Sequence, residues 1–131
     1  MTSPLSFSPG ERWTYRAPAG FEQSRIIVGA VVTFAGREPI VCCAVPGTPR
    51  RRPDGSVEMA TIPFLPIAAS ALAGSVIARD GEGDPPAEFA QAFESWQDDP
   101  RGLSVFTVPF EGTLETLIAR QMAEIAGVAA E

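Results

Sequence analysis

Hydrophobic and polar residues alternate from Glu11 to Arg16. Glu11, Trp13 and Tyr15 share one side of an extended segment, and Arg12, Thr14 and Arg16 share the other. A two-residue period is that of a half-buried β-strand. Pro18, Ala19 and Gly20 break it. Residues 24–34 (SRIIVGAVVTF) are β-branched and almost continuously apolar. Such a run predicts a strand covered on both faces, or one lining a small barrel. Gly29 in its middle predicts a bulge or a sharp bend. Gly36 marks a turn, and residues 39–45 (PIVCCAV) predict a third strand. Residues 46–55 (PGTPRRRPDG) have the composition of a loop. Residues 56–64 (SVEMATIPF) predict a fourth strand. Pro63 belongs at its end or on a sheet edge, because proline cannot donate to the ladder.

The pattern changes at Pro66. A proline suits the first turn of a helix, and residues 66–78 are apolar nearly all round, which predicts a largely buried helix. Residues 80–86 read as a loop, with Asp84 before two prolines as a helix start. Phe89, Phe93 and Trp96 then recur at i, i+4 and i+7, with Glu88, Gln91 and Glu94 facing away. That is an amphipathic helix. Residues 103–108 (LSVFTV) predict a fifth strand. A last helix is expected over 113–126, with Leu114, Leu117, Ile118, Met122 and Ile125 as one apolar stripe and Gly127 as its stop.

Four strands, two helices, a strand and a helix predict a single α+β domain over residues 1–131. It is β-rich over 11–64, helical over 66–97, extended over 103–108 and helical over 113–126. The expected architecture is an antiparallel five-stranded sheet or a partly open barrel, with two helices inserted before the last strand and a C-terminal helix. No internal repeat or low-complexity linker divides it.

Composition narrows the chemistry. The chain has no histidine, and all ten of its basic residues are arginine. Histidine is the usual general base near neutral pH, and lysine supplies Schiff bases and the grip of a P-loop. Triads, Walker motifs and histidine-based zinc sites are therefore excluded. Cys42 and Cys43 are adjacent, which suits neither a structural disulfide nor a zinc site. On a strand they point to opposite faces, and no histidine is present to activate either thiol. Asp80, Glu82 and Asp84 alternate like the first ligands of a calcium loop, but Pro85 stands where such a loop needs glycine and Gln91 where it needs glutamate. No metal and no cofactor is expected.

The net charge of −6 is unevenly distributed. Residues 1–52 hold seven Arg and three acids, and residues 53–131 hold three Arg and thirteen acids. The acidic total argues against a free nucleic-acid binder. The asymmetry suits either two halves that attract each other or a basic face for an anionic partner. Met1 to Gly10 lacks a basic patch followed by an apolar stretch, and residues 63–78 are too short and too broken by proline to span a bilayer. The expectation is a cytoplasmic protein with no membrane partner.

Two clusters could bind a ligand. Trp13, Tyr15, Arg16, Phe21 and Arg25 place aromatics beside guanidiniums, an arrangement that stacks on flat ligands or grips small anions. The competing reading makes Trp13 and Tyr15 the inward face of a strand. Arg50, Arg51 and Arg52 could hold a phosphate or an acidic partner, or else remain solvated or pair with the acidic half. Asp98 and Asp99 could share a proton, although Arg101 is a simple neutralising partner.

The run Gly10-Glu11-Arg12-Trp13, then Pro18, Gly20-Phe21-Glu22-Gln23 and Arg25 leading into an apolar strand, resembles the opening of the PemK/MazF-type toxin barrels. The resemblance covers about a fifth of the chain. It implies an SH3-like barrel with a C-terminal helix, and an RNA-cleaving homodimer in which Glu22 and Arg25 fall near the acidic and arginine site residues. Arg25 is followed by Ile26-Ile27 in place of that family's double-arginine-proline run. Two functions are therefore expected in turn. The first is a non-enzymatic binding or assembly module that takes a protein partner or a second copy of itself. The second is an RNA-cleaving enzyme using Glu22 as base and Arg25 as the transition-state cation.

Overall fold

The computed structural model describes residues 7–100, 105–110 and 114–125. Five strands form one antiparallel sheet: β1 (Glu11–Tyr15), β2 (Ile26–Phe34), β3 (Arg37–Arg51), β4 (Val57–Ala68) and β5 (Val76–Glu82). Their spatial order is β4-β3-β2-β1-β5. Among the described residues three helices accompany the sheet: α1 (Ala69–Ala73) between β4 and β5, then α2 (Glu88–Gln97) and α3 (Leu114–Ile125). The α+β class and the five antiparallel strands are as the pattern predicts. The outer strands β4 and β5 are not paired with each other among the described residues, so the sheet is open.

The last strand is not where the pattern places it. Residues 66–78 do not form one helix: β4 runs on to Ala68, α1 makes barely more than one turn, and Val76-Ile77 begin β5. Among the described residues only one helix, not two, precedes the last strand, β5. β4 continues through two prolines because it is an outer strand. The Pro66 carbonyl faces outward and accepts from Phe106 N–H at 2.9 Å. Its ring nitrogen lies on the same side, so no ladder bond is lost. Pro63 falls at a register shift between β3 and β4. The run 80–86 also begins inside β5. Of the strand expected at 103–108, residues 103–104 lie outside the described residues, and within 105–108 Phe106 makes a single parallel bridge to Ile67.

The segment expected as a loop at 46–55 is mostly strand as well. β3 extends to Arg51 by absorbing Pro46-Gly47 at a register shift, with Gly47 at φ +76°. The turn shrinks to residues 52–56, where Asp54 accepts from Ser56 N–H at 2.9 Å and Ser56 Oγ at 2.6 Å.

The sheet is covered on both faces, as the unbroken apolar run of β2 requires. One face carries Trp13, Tyr15, Ile26, Val28, Val41, Cys43 and Leu65 beneath Leu72, Val108, Phe110 and Leu117. The other carries Ile40, Cys42, Ala44 and Phe64 beneath Phe89, Phe93 and Trp96 of α2. Phe64 meets all three of those rings at centroid separations of 5.5 to 6.2 Å. Gly29 is the extra residue of a bulge in β2, between the pairs Val28–Cys43 and Ala30–Cys42. α2 matches its predicted stripe, although it starts at Glu88 behind Ala87 and Asp84 does not cap it. The expected stripe on α3 is corrected: Leu117 is fully buried, but Ile118 and Met122 are exposed. The buried stripe is therefore narrower than the expected one, and Ile118, about 100° around the helix from Leu117, lies on the solvent side.

Candidate functional site

The N-terminal cluster is divided between core and edge. Trp13 and Tyr15 alternate inward along β1 and are buried. The Trp13 ring meets Phe7 edge-on at 5.2 Å, and its Nε1–H donates to Glu11 Oε1 at 3.3 Å. The Tyr15 ring lies 5.3 Å from Phe110. Its hydroxyl is 2.6 Å from Ser24 Oγ, and Ser24 Oγ donates to Pro46 O at 2.7 Å. Since Ser24 has one proton and gives it to Pro46, the Tyr15 hydroxyl is the donor of their shared bond. Burial pushes the Tyr15 pKa up, against the opposing pull of that bond and of Arg25. Neither aromatic is open to a flat ligand, so their expected binding role is corrected to core packing. Sequence reasoning missed Ser24. A small polar residue at the mouth of an apolar run is its only signal.

Arg25 is held inside the chain. Its Nε donates to Asp80 Oδ2 at 2.6 Å, and its Nη1 donates to the carbonyls of Glu22 and Ser24, each at 2.8 Å. Asp80 also receives Arg12, whose Nε donates to the Asp80 carbonyl at 2.8 Å and lies 3.7 Å from Asp80 Oδ2. The Arg25 hydrogen bond, with the two nearby guanidiniums, holds the Asp80 carboxyl below its ordinary pKa. Glu22 is exposed, and its carboxylate accepts from Gly20 N–H at 3.0 Å, which lowers its pKa. Glu22 and Arg25 thus meet only through the Glu22 backbone carbonyl. Arg16 is exposed beyond the end of β1, and Phe21 is half-buried in the turn before β2. Arg25 faces β5, at the opposite end of the strand order from β4.

The arginine triplet sits at the tip of the β3–β4 hairpin. Arg50 pairs in register with Glu58 and Arg51 with Val57. Arg50 is exposed, and Arg52 Nη2 lies 3.0 Å from Glu58 Oε1. The triplet and the N-terminal cluster do not form one cationic face.

Cys42 and Cys43 are both buried, one on each side of the sheet. Desolvation pushes the Cys42 thiol up to about 12 and Cys43 well above its ordinary value. A thiol in that state is neither nucleophile nor ligand at neutral pH. Among the described residues no group of three or more His, Cys, Asp or Glu could hold a metal ion. Asp98 closes α2, and Arg101 lies outside the described residues. No helix among the described residues is long and apolar enough to cross a membrane.

Two hollows remain. One, of about 450 Å³, is lined by Arg37, Glu38, Pro39, Ile40, Ala68, Val105 and Thr107. Its carboxylate is already engaged, since Glu38 Oε1 accepts from Ser70 N–H at 2.8 Å. The other, of about 350 Å³, lies along the β3–β4 hairpin beside Pro49, Arg50, Thr61 and Phe64. Neither joins a base to a nucleophile. Comparison of the chain with protein-family models, curated proteins and solved structures finds no match.

Proposed function

We propose that this protein is a binding and assembly module, with no catalytic centre, that associates with a second copy of itself. The observation that carries the reading is the intrachain capture of Arg25. A guanidinium that gives three of its five N–H donors to Asp80, at 2.6 Å, and to two backbone carbonyls is tied into the fold rather than aimed at a substrate. Large apolar side chains support the same reading: Val57 and Met59 on the β3–β4 hairpin are 57% and 66% exposed. Contiguous exposed apolar surface marks interaction sites.

Sedimentation velocity across a concentration series, paired with an RNA-cleavage assay, tests the proposal. Association at micromolar concentration without cleavage is the expected result. Cleavage that disappears in Arg25→Ala would replace the module by the RNA-cleaving enzyme that the N-terminal resemblance implies.

A further inference from the structure

The two halves of β4 differ along their outer side. From Pro66 to Ala68 that side is occupied: Phe106 N–H donates to Pro66 O, and Ala68 N–H donates to Phe106 O at 2.8 Å. From Val57 to Ile62 no strand lies beyond β4 among the described residues. An open edge offers a row of unpaired peptide groups, and proteins usually blunt it with lysine, proline or inward charge. This run, VEMATI, has one charge, Glu58, which Arg52 neutralises at 3.0 Å. Val57, Met59 and Thr61 are all exposed and alternate, so they share one face of the sheet. Pro63, at the register shift, ends the run.

We infer that this edge pairs antiparallel with the same edge of a second copy, about a two-fold axis at Met59. The inference rests on the assembly reading above and names its surface. In this register Met59 meets Met59, and Val57 meets Thr61 of the second copy, giving a short ladder of apolar and β-branched cross-strand pairs. Glu58 falls opposite Ala60, so no like charges face each other across the strands. Charge chooses a second copy as the occupant. The pairing lays the tip of one hairpin, with Arg50, Arg51 and Arg52, beside the far end of the other copy's β4. α2 packs over that end through Phe64. The segment 80–100 contains seven acids and no basic residue. Glu88, Glu94 and Asp98 of it are exposed. The chain thus carries both a cationic arm and the acidic surface that arm reaches, which is what an isologous two-fold contact requires.

Sedimentation equilibrium on the wild type, on Val57→Lys/Met59→Lys and on Ile118→Lys/Met122→Lys tests the inference. All four positions are exposed, so the fold is expected to survive, as circular dichroism would verify. The wild type should form a dimer. The β4 variant should raise its dissociation constant about tenfold or more, because lysines are brought against the facing edge. The α3 variant should leave it unchanged. Raising NaCl from about 0.05 to about 0.5 M should weaken the dimer several-fold, as screening of the arm requires. In the wild type, amide exchange over 57–62 should slow as concentration rises. A dimer that survives the β4 lysines, or that fails only in the α3 variant, would overturn the edge and leave the module standing. A wild type monomeric at about 100 µM would remove both the edge and self-association.

Discussion

The ring of Phe89 occupies the space that a side chain at Gly29 would need. A Cβ built on Gly29 would lie 2.3 Å from Phe89 Cζ, and within 2.7 Å of two other ring atoms. The glycine has no unusual φ. Its role is clearance: with no side chain at Gly29, the Phe89 ring of α2 packs directly against the backbone of β2. Gly29→Ala should therefore cost about 1–3 kcal/mol by overpacking. Phe89→Ala should cost about 3–5 kcal/mol through the cavity it leaves. In the Phe89→Ala background Gly29→Ala should become nearly neutral, and urea titration of the four proteins would measure that coupling.

The Tyr15–Ser24–Pro46 chain ties β1 to the irregular part of β3. Ser24→Ala removes the acceptor of the Tyr15 hydroxyl and the donor to Pro46 O together, leaving two polar groups to be satisfied at a site that is 2% exposed. Tyr15→Phe removes one donor and leaves the Ser24–Pro46 bond intact. Ser24→Ala should be the more damaging, by about 1–3 kcal/mol against about 1 kcal/mol. Equal losses in chemical denaturation would mean the chain does not act as a relay of bonds.

Stability should fall with acid through Asp80. Its folded-state pKa lies below its ordinary value of 3.8. The carboxylate therefore contributes above that value, and its contribution is lost as pH drops through the lower, folded value. Asp80→Asn should flatten the acid limb of a plot of thermal midpoint against pH below about 4, while the neutral limb shifts uniformly. High salt should shrink the difference, because the group is solvent-accessible.

Both thiols should be inert in the native state. With Cys42 pushed up to about 12 and Cys43 higher than its ordinary value, alkylation at mildly alkaline pH should proceed no faster than the opening that exposes β3. Rapid labelling of either cysteine under native conditions would contradict the two-sided covering of the sheet.

The face of α3 can be checked by substitution. Leu117→Ala should cost about 2–5 kcal/mol, whereas Ile118→Ala and Met122→Ala should each stay within about 0.5 kcal/mol. Thermal midpoints of the three variants would separate the buried side from the exposed one.

Much of this architecture was legible in the chain, and its failures have common causes. The alternation of β1, the two-sided burial of β2 and the Phe89/Phe93/Trp96 stripe each had a clear period. Residues 66–78 did not: small apolar residues there fit a buried helix or a buried strand equally well by periodicity, and the edge position that tolerates Pro66 is a tertiary fact. The same holds for 46–51, where Pro46-Gly47 reads as a turn but is taken up as an irregularity inside a long strand. For the site, the arginines were visible but their partners were not. Asp80 lies 55 residues from Arg25 in sequence, and only the pairing of β1 with β5 brings them together.

That pairing also orders events in time. β1 ends at residue 15 and its neighbour β5 begins at residue 76. On a growing chain, β2, β3 and β4 can assemble by local hairpins, while β1 keeps one bare flank until more than sixty further residues have emerged. Closing so large a loop is slow relative to hairpin formation. By loop length, the row joining β1 to β5, and with it the clasp of Arg12 and Arg25 on Asp80, is expected to form last and to set the width of the sheet.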